Sequence, residues 1–184
     1  MSMHCALLLI EGDFLPRADE IFSVFRYQPL PDQEEITNWG QLWRILADHR
    51  LDKSTVMKAI CCHCGWTVIF DPELVMPTDG DSCADLSHAL GARILGVICD
   101  GKSLTYAYRL HEGDLRRSFM VSGGKVFDDY GAPLPEEKGL KKESISEQEV
   151  LGIVSKIAFD FSTLTTGVSF LVKLLDSSGV QNNA

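Results

Sequence analysis

Residues 96–103 have the sequence GVICDGKS, which matches the phosphate-binding pattern G-x-x-x-x-G-K-[S/T] from Gly96 to Ser103. In such loops backbone amides hold the phosphates, while the lysine and the hydroxyl serve phosphate and magnesium. The mechanism needs a helix directly after the loop, so that its N-terminus faces the phosphates. Here residues 104–110 alternate toward a Glu-Gly turn, and Asp100 would place a carboxylate among the phosphates. We therefore predict a strand–turn–strand segment.

The second group with metal-binding chemistry is Cys61, Cys62, His63 and Cys64, because thiolates and imidazole at short spacing can hold zinc. The surrounding β-branched and aromatic residues predict one long strand over residues 55–70, bent at the glycine after Cys64. Side chains alternate on a strand, so each face would supply only two ligands. We predict packing at this site, with no metal ligands and no cofactor.

Charge narrows the classes of partner. The chain has 184 residues, 17 basic and 26 acidic, with a formal net charge of -9. This excess of acid repels phosphate backbones and anionic lipids, so we expect no nucleic-acid or membrane binding and favour a basic protein partner. The N-terminus lacks the basic flank of a secretion signal, and Lys156, Asp160 and Lys173 interrupt the apolar C-terminal stretch. We expect a cytoplasmic protein with reduced thiols. The sequence does not fix the oligomeric state.

Apolar periodicity predicts an α+β fold, a single domain over residues 1–184 with a frayed tail from about residue 177. Residues 93–129 contain four short apolar or alternating runs separated by Asp-Gly, Glu-Gly and Gly-Gly, which is typical of an antiparallel meander. We expect a largely antiparallel sheet with helices on one face. The predicted helices cover residues 16–26 and 39–46, a segment ending at Leu90, residues 146–161 after a capping box at Ser146, and residues 168–175. Residues 27–35 are predicted to be a proline-rich connection.

A symmetric turn over residues 112 and 113 would set the register of the central hairpin. It creates one apolar face from four cross-strand pairs: Leu110 with Leu115, Tyr108 with Arg117, Tyr106 with Phe119, and Leu104 with Val121. The same register sets Arg109 opposite Arg116, where like charges are unfavourable unless an acid or a bound anion lies between them. We therefore name Arg109 and Arg116 as binding residues, with an internal carboxylate between them as the alternative.

The runs GWTVIFDPE, DLSHALG, SLTYAYRLHEGDLRR and GAPLPEE, between residues 65 and 137, resemble small uncharacterised bacterial α+β proteins, including immunity proteins of toxin systems. The resemblance implies no active-site residues. The scattered histidines form no nucleophile–base motif, so no catalytic residue is predicted. We predict a non-enzymatic protein-interaction module, immunity-like in kind. The alternatives are a metal- or thiol-dependent enzyme around Cys61–Cys64 and nucleotide binding through residues 96–103.

Overall fold

The computed structural model describes residues 4–48, 50–52, 54–142 and 145–181, and these contain nine strands in one antiparallel sheet and five helices. The sheet is open, with the strand order β2-β9-β3-β4-β1-β5-β6-β7-β8. The strands are β1 (His4–Glu11), β2 (Gln28–Ile36), β3 (Thr55–His63), β4 (Trp66–Asp71), β5 (Ile94–Asp100), β6 (Thr105–Glu112), β7 (Asp114–Ser122), β8 (Lys125–Tyr130) and β9 (Phe170–Asp176). The helices are α1 (Ala18–Val24), α2 (Trp39–Ala47), α3 (Gly80–Leu90), α4 (Glu147–Ile157) and α5 (Ser178–Gln181). The predicted α+β class is confirmed.

The helices cover both faces of the sheet. On one face, α2 and α4 pack with Leu7 and Leu9 of β1, whereas α1 and α3 pack on the other face with Leu8 and Ile10 of the same strand. Every residue of β4 and of β5 is buried. The expectation that helices lie on one face is therefore wrong, because the central strands are apolar runs without alternation, the pattern of strands buried on both sides. No helix of the described residues is long and apolar enough to cross a membrane.

Two strands lie where the sequence predicted other structure. The predicted connection over residues 27–35 is the edge strand β2, and the predicted last helix is β9, which pairs with both β2 and β3. Pro29 and Pro31 fit β2 because its outer edge needs no ladder hydrogen bonds, and the pairing with β9 is irregular between Pro29 and Gln33. The stretch FLVKLLD fits a helix or a strand by its local pattern, and pairing with two distant strands decides in favour of the strand.

β3 and β4 form a hairpin instead of one bent strand. Cys64 and Gly65 occupy the turn, with φ angles of 50° and 78°, and the ladder pairs His63 with Trp66. Two consecutive residues with positive φ are the requirement of a tight two-residue hairpin turn. The prediction failed because Cys64, unlike Gly or Asn, gives no sequence signal for this conformation.

The predicted meander is confirmed, and it consists of β5, β6, β7 and β8. Gly96 lies inside β5, where an added Cβ would sit 2.9 Å from the Cβ of Pro77, so the glycine allows close packing. The turn between β5 and β6 contains Lys102 and Ser103, and Asp100 accepts hydrogen bonds from the Lys102 amide and the Ser103 hydroxyl. A strand, not a helix, follows this turn, as predicted for residues 96–103.

Local capping signals agree with the structure in part. Ser146 caps α4 through a reciprocal capping box with Glu149, as predicted. The helix predicted to end at Leu90 does so, with Gly91 after it in the left-handed conformation and Asp79 as its N-cap. Residues 178–181, within the expected frayed tail, form the short α5, and residues 182–184 lie outside the described part.

Candidate functional site: an acidic groove beside α2

An open groove of about 610 Å³ lies between α2 and the β2 edge of the sheet, and we call it the acidic groove. β9 and β3 supply its floor, α2 one wall and β2 the other. Its lining consists of Asp32, Gln33, Glu34, Gln41, Arg44, Ile45, Asp48, Leu51, Met57, Val172 and Leu174. Five of these side chains are apolar and four are charged, so the groove offers an apolar floor with a charged rim.

α2 takes its position from its cap and its apolar stripe. The side chain of Asn38 accepts a hydrogen bond from the amide of Gln41 and so fixes the first turn. Leu42 and Leu46 are buried against the sheet, which turns Arg44 and Asp48 away from the core. The rim of the acidic groove is therefore built on a helix whose orientation is fixed by packing.

The β2 wall carries acid because β2 is an edge strand with little to bury. Glu34 pairs with Val172 of β9, so its carboxylate lies on the same sheet face as the apolar floor. All residues of β2 except Pro29, Leu30 and Ile36 are exposed. Polar side chains on an edge strand remain in water, which allows acids to flank an apolar floor without a desolvation penalty.

The lining of the groove has, among the described residues, three carboxylates, of Asp32, Glu34 and Asp48, and one cation, that of Arg44. Among the described residues, no salt bridge reaches any of these three carboxylates. The described residues also contain no group of three acidic, histidine or cysteine side chains close enough to hold one metal ion. The carboxylates are thus distributed along the rim, an arrangement that suits several separate cationic groups better than a single ion.

Arg109 and Arg116, the predicted binding residues, are not cross-strand partners. The turn has one central residue, Gly113, because Glu112 pairs with Asp114. A bulge then leaves one residue of β7 without a partner, since His111 pairs with Leu115 but Leu110 pairs with Arg117. Arg109 therefore lies opposite Ser118. Beyond the bulge β7 is shifted by two residues in total, which keeps Phe119 and Val121 on the predicted apolar face but alters every pair. Leu115, shifted by only one residue, pairs with His111 and not on that face, and Leu104 is exposed in the turn before β6. The predicted register is therefore wrong, although Tyr108 and Phe119 do share the apolar face and pair directly.

Each of the two arginines has its own partner. Arg109 donates from Nη1 to the carbonyl oxygen of Thr78 at 2.9 Å, and Arg116 donates from Nη1 to Oε2 of Glu112 at 2.6 Å. The shared anion site derived from their juxtaposition loses its geometric basis. Binding by either arginine separately stays a prediction.

Cys61 and Cys62 alternate between the two faces of β3, as predicted, whereas Cys64 lies in the turn and not on a strand face. Cys61 is buried in the core below α2 and α4, and burial raises the pKa of its thiol to about 12. Cys64 is exposed in the turn, and the ring of His63 hydrogen-bonds Thr163 Oγ1 at 2.7 Å. A thiol with so high a pKa is neither a good nucleophile nor a ready metal ligand, so Cys61 serves packing.

The sequence analysis missed a buried ionic cluster between β3 and the loop after β4. Lys58 has no exposed surface and donates to the carboxylates of Asp71 and Glu73, and Glu73 also binds Arg50 and the hydroxyl of Tyr27. Burial alone would lower the pKa of Lys58, but the two carboxylates raise it above the ordinary value. Asp71 also accepts from the amides of residues 75 and 76. An enclosed and saturated cluster of this kind holds the loop in place and cannot reach a substrate.

A second buried pair fixes the segment between β8 and α4. The fully buried Arg117 donates from Nε and Nη2 to the two carboxylate oxygens of Glu137 at 2.7 and 2.8 Å. Burial opposes ionisation of Glu137, but the bonds from Arg117 and the Leu134 amide hold its pKa below the ordinary value. The segment between β8 and α4 is therefore attached to the meander, and the sequence indicates this attachment only through the second glutamate of a Pro-Glu-Glu run.

A smaller cavity of about 410 Å³ lies at the C-terminal end of α3, lined by Glu11, Ser87, His88, Gly91, Ala92, Arg93, Glu112 and Gly113. Its main charged groups neutralise one another, because Arg93 forms a bidentate pair with Glu11 at 2.7 and 2.8 Å. The acidic groove is larger, and its three carboxylates form no salt bridge with any residue that the structure describes, so it is the stronger candidate site.

Comparison of the chain with family models, with curated proteins and with solved structures gives no match.

Proposed function

We propose that the protein is a non-catalytic interaction module that binds a basic, partly apolar segment of a partner protein in the acidic groove. The observation that carries this proposal is the set of three carboxylates, Asp32, Glu34 and Asp48, around a floor of apolar side chains. Lysine and arginine have apolar stems and cationic heads, so their stems can cover such a floor while the heads meet the carboxylates. The groove and the segment are then complementary in both polarity and charge.

The net charge of the chain supports the same class of partner. A formal charge of -9 attracts cationic proteins over distances of about one Debye length, roughly 8 Å at physiological salt. Such attraction raises the association rate and disfavours acidic competitors. The resemblance to toxin-immunity proteins makes a basic bacterial toxin the first partner to test, and that assignment is a proposal.

An enzymatic role has less support in the geometry. Among the described residues, the lining of the acidic groove includes no histidine, cysteine, serine or lysine, so its carboxylates have no second catalytic side chain of these types beside them. The alternative enzyme around Cys61–Cys64 would use a buried thiol of raised pKa beside an exposed one. Recognition of a charged segment requires neither a catalytic side chain nor a reactive thiol.

Fluorescence anisotropy with three short labelled peptides tests the proposal. One peptide alternates Lys and Leu, the second alternates Glu and Leu, and the third alternates Lys and Ser. We expect the first to bind most tightly, the third more weakly and the second not at all. Neutralising the rim with Asp32→Asn, Glu34→Gln and Asp48→Asn should weaken the first peptide roughly a hundredfold, since three ion contacts contribute about 1 kcal/mol each.

A matched variant separates a local site from general charge. Asp81, Asp85 and Asp114 are exposed acids outside the groove, and replacing all three with Asn changes the net charge by the same amount. This control should bind the Lys-Leu peptide almost as well as the unchanged protein, whereas Arg44→Gln should bind it more tightly. Equal weakening by the two triple variants would contradict the groove, and equal binding of the Lys-Ser peptide or of spermine would contradict the role of its apolar floor.

A further inference from the structure

The opposite edge of the sheet carries most of the exposed large apolar side chains among the described residues. The described residues include five exposed large hydrophobic side chains, and three of them are Val126, Phe127 and Tyr130 of β8, with exposed fractions of 42%, 68% and 57%. β8 ends the sheet and pairs only with β7 among the described strands. The outer edge of β8 therefore has no partner strand among the described residues, and it carries three exposed apolar side chains, a combination that allows another strand to pair.

The two edges of the sheet differ in a way that points to pairing at β8. At the other edge, β2 contains Pro29 and Pro31 and presents mainly polar side chains, features that block the addition of a strand. β8 contains no proline. Its charged side chains and its bulge disfavour pairing with an arbitrary strand, so a strand that pairs with β8 must match that pattern.

A bulge in β8 gives this edge a self-complementary pattern. Ser122 pairs with Lys125 and Met120 with Asp128, and Ser122 and Met120 lie two residues apart on β7. Lys125 and Asp128 therefore share one sheet face although they are three residues apart, with Phe127 as the extra residue. Among the described residues, no salt bridge involves Lys125 or Asp128, and Asp128 accepts a hydrogen bond from the hydroxyl of Ser118.

We propose that two copies of the chain associate through antiparallel pairing of their β8 strands around a twofold axis. When two copies of one strand pair antiparallel around a twofold axis, the residue numbers of every opposed pair add up to the same value, so one pair determines all the others. The register that sets Lys125 opposite Asp128 of the second copy also sets Val126 opposite Phe127. Because the axis repeats every contact, this register forms two ion pairs and two apolar pairs in all, and it continues the sheet from one copy into the other.

Other registers lose this match. If Phe127 lay on the axis, Lys125 would oppose Asp129, which pairs with Phe119 and so lies on the other sheet face. Asp129 is also occupied within its own chain, by Arg117 at 2.8 Å and by Lys142. The second copy is therefore a more specific occupant of this edge than an arbitrary strand, because the edge carries both halves of the charge pattern.

Sedimentation velocity on the full chain, over a range of concentrations, tests the pairing. The unchanged protein should show a monomer–dimer equilibrium. Lys125→Glu and Asp128→Lys should each weaken the dimer at least roughly tenfold, because each replaces two attractive cross-strand pairs with two like-charge pairs. Both positions are on a solvent-facing edge, and thermal melting followed by circular dichroism verifies that each variant folds.

Mixing the two single variants gives the decisive result. In a mixed pair, the new carboxylate at position 125 of one copy would face the new ammonium group at position 128 of the other, and the native Lys125–Asp128 pair would form on the second side. An equimolar mixture should therefore recover the dimer. If Asp128→Lys fails to fold after losing the Ser118 hydrogen bond, Phe127→Ser replaces it and should weaken the dimer on its own. A protein that is monomeric at every concentration, or a dimer unaffected by Lys125→Glu, would overturn the proposal.

Discussion

Replacing Glu137 with glutamine should destabilise the protein far more than a surface substitution of the same kind. The change keeps the shape of the side chain and an oxygen for the Leu134 amide, but it removes the charge that faces the fully buried guanidinium of Arg117. Arg117 remains protonated under all ordinary conditions, so its charge cannot be removed by titration. The variant therefore leaves a buried cation without its main counterion.

The magnitude follows from the remaining contacts of Arg117. Removing one partner of a buried ion pair typically destabilises a protein by about 3–5 kcal/mol. Arg117 would keep its contact with Asp129 Oδ1 at 2.8 Å and its donation to the carbonyl oxygens of Ser118 and Tyr130. Asp129 is about one-third exposed, so its compensation is partial. We therefore expect about 3 kcal/mol, which for a chain of this length lowers Tm by roughly 6–12 °C.

Urea denaturation with linear extrapolation measures this difference, provided that the m value is unchanged. Glu20→Gln is the matched control, because Glu20 pairs with Arg17 at the surface, where water solvates both groups. The control should unfold at the same urea concentration as the unchanged protein. A loss below about 1 kcal/mol in Glu137→Gln would refute the view that this pair anchors the segment between β8 and α4.

Three further predictions concern single groups. His111 is buried without a hydrogen-bond partner for either ring nitrogen among the described residues, and burial, together with the charge of Arg109, lowers its pKa below the ordinary value of 6.5. The folded state thus keeps His111 neutral, whereas the unfolded chain binds a proton on this ring. The free energy of unfolding should therefore fall as the pH drops below about 6.5. Urea titrations at pH 7.5 and 5.5 measure this loss, and His111→Leu should reduce it. We expect less than one zinc per chain by atomic absorption, and one tightly held zinc would show that distant ligands converge. At neutral pH a thiol reagent should modify the exposed Cys64 in the native state, but Cys61 only after unfolding. Lys102→Ala should leave the urea midpoint unchanged, and calorimetry should detect no magnesium-dependent ATP binding that this substitution abolishes.

Sequence patterns within a few neighbouring residues correctly predicted the helices and turns whose conformation depends on those same residues. The Trp39–Ala47 helix follows from its apolar spacing and the α4 start from the Ser146 capping box, because both signals act within one or two turns. The meander follows from its turn residues. For the same reason the phosphate-loop pattern could be rejected from the sequence, since the alternation after Ser103 indicated a strand and not a helix.

Pairings between distant parts of the chain could not be predicted from these signals. β9 lies between β2 and β3, and its pattern FLVKLLD carries no information about either partner. The bulge at Arg116 also depends on how β7 packs on its neighbours, so the register of the hairpin was wrong, while the face was correct for the residues of β7 beyond the bulge. A shift of two residues preserves alternation, which is why a face can be predicted even when its pairs cannot.

The acidic groove could not be found from the sequence because its parts come from misassigned elements. Its β2 wall was predicted as a connection, and its floor includes Val172 and Leu174 from the strand predicted as a helix. The expectation of a basic partner needs only the composition and stays a prediction. A specific place for such a partner could be proposed only after the long-range pairing was known.

The most direct test of the groove is to map the bound peptide on the folded protein by nuclear magnetic resonance. Titrating the Lys-Leu peptide into isotopically labelled protein should shift the amide signals of the groove residues, with Gln33, Glu34 and Gln41 among the largest changes. The signals of β8, on the far edge of the sheet, should stay in place. Binding accompanied by shifts centred elsewhere, or no binding at all, would contradict the account.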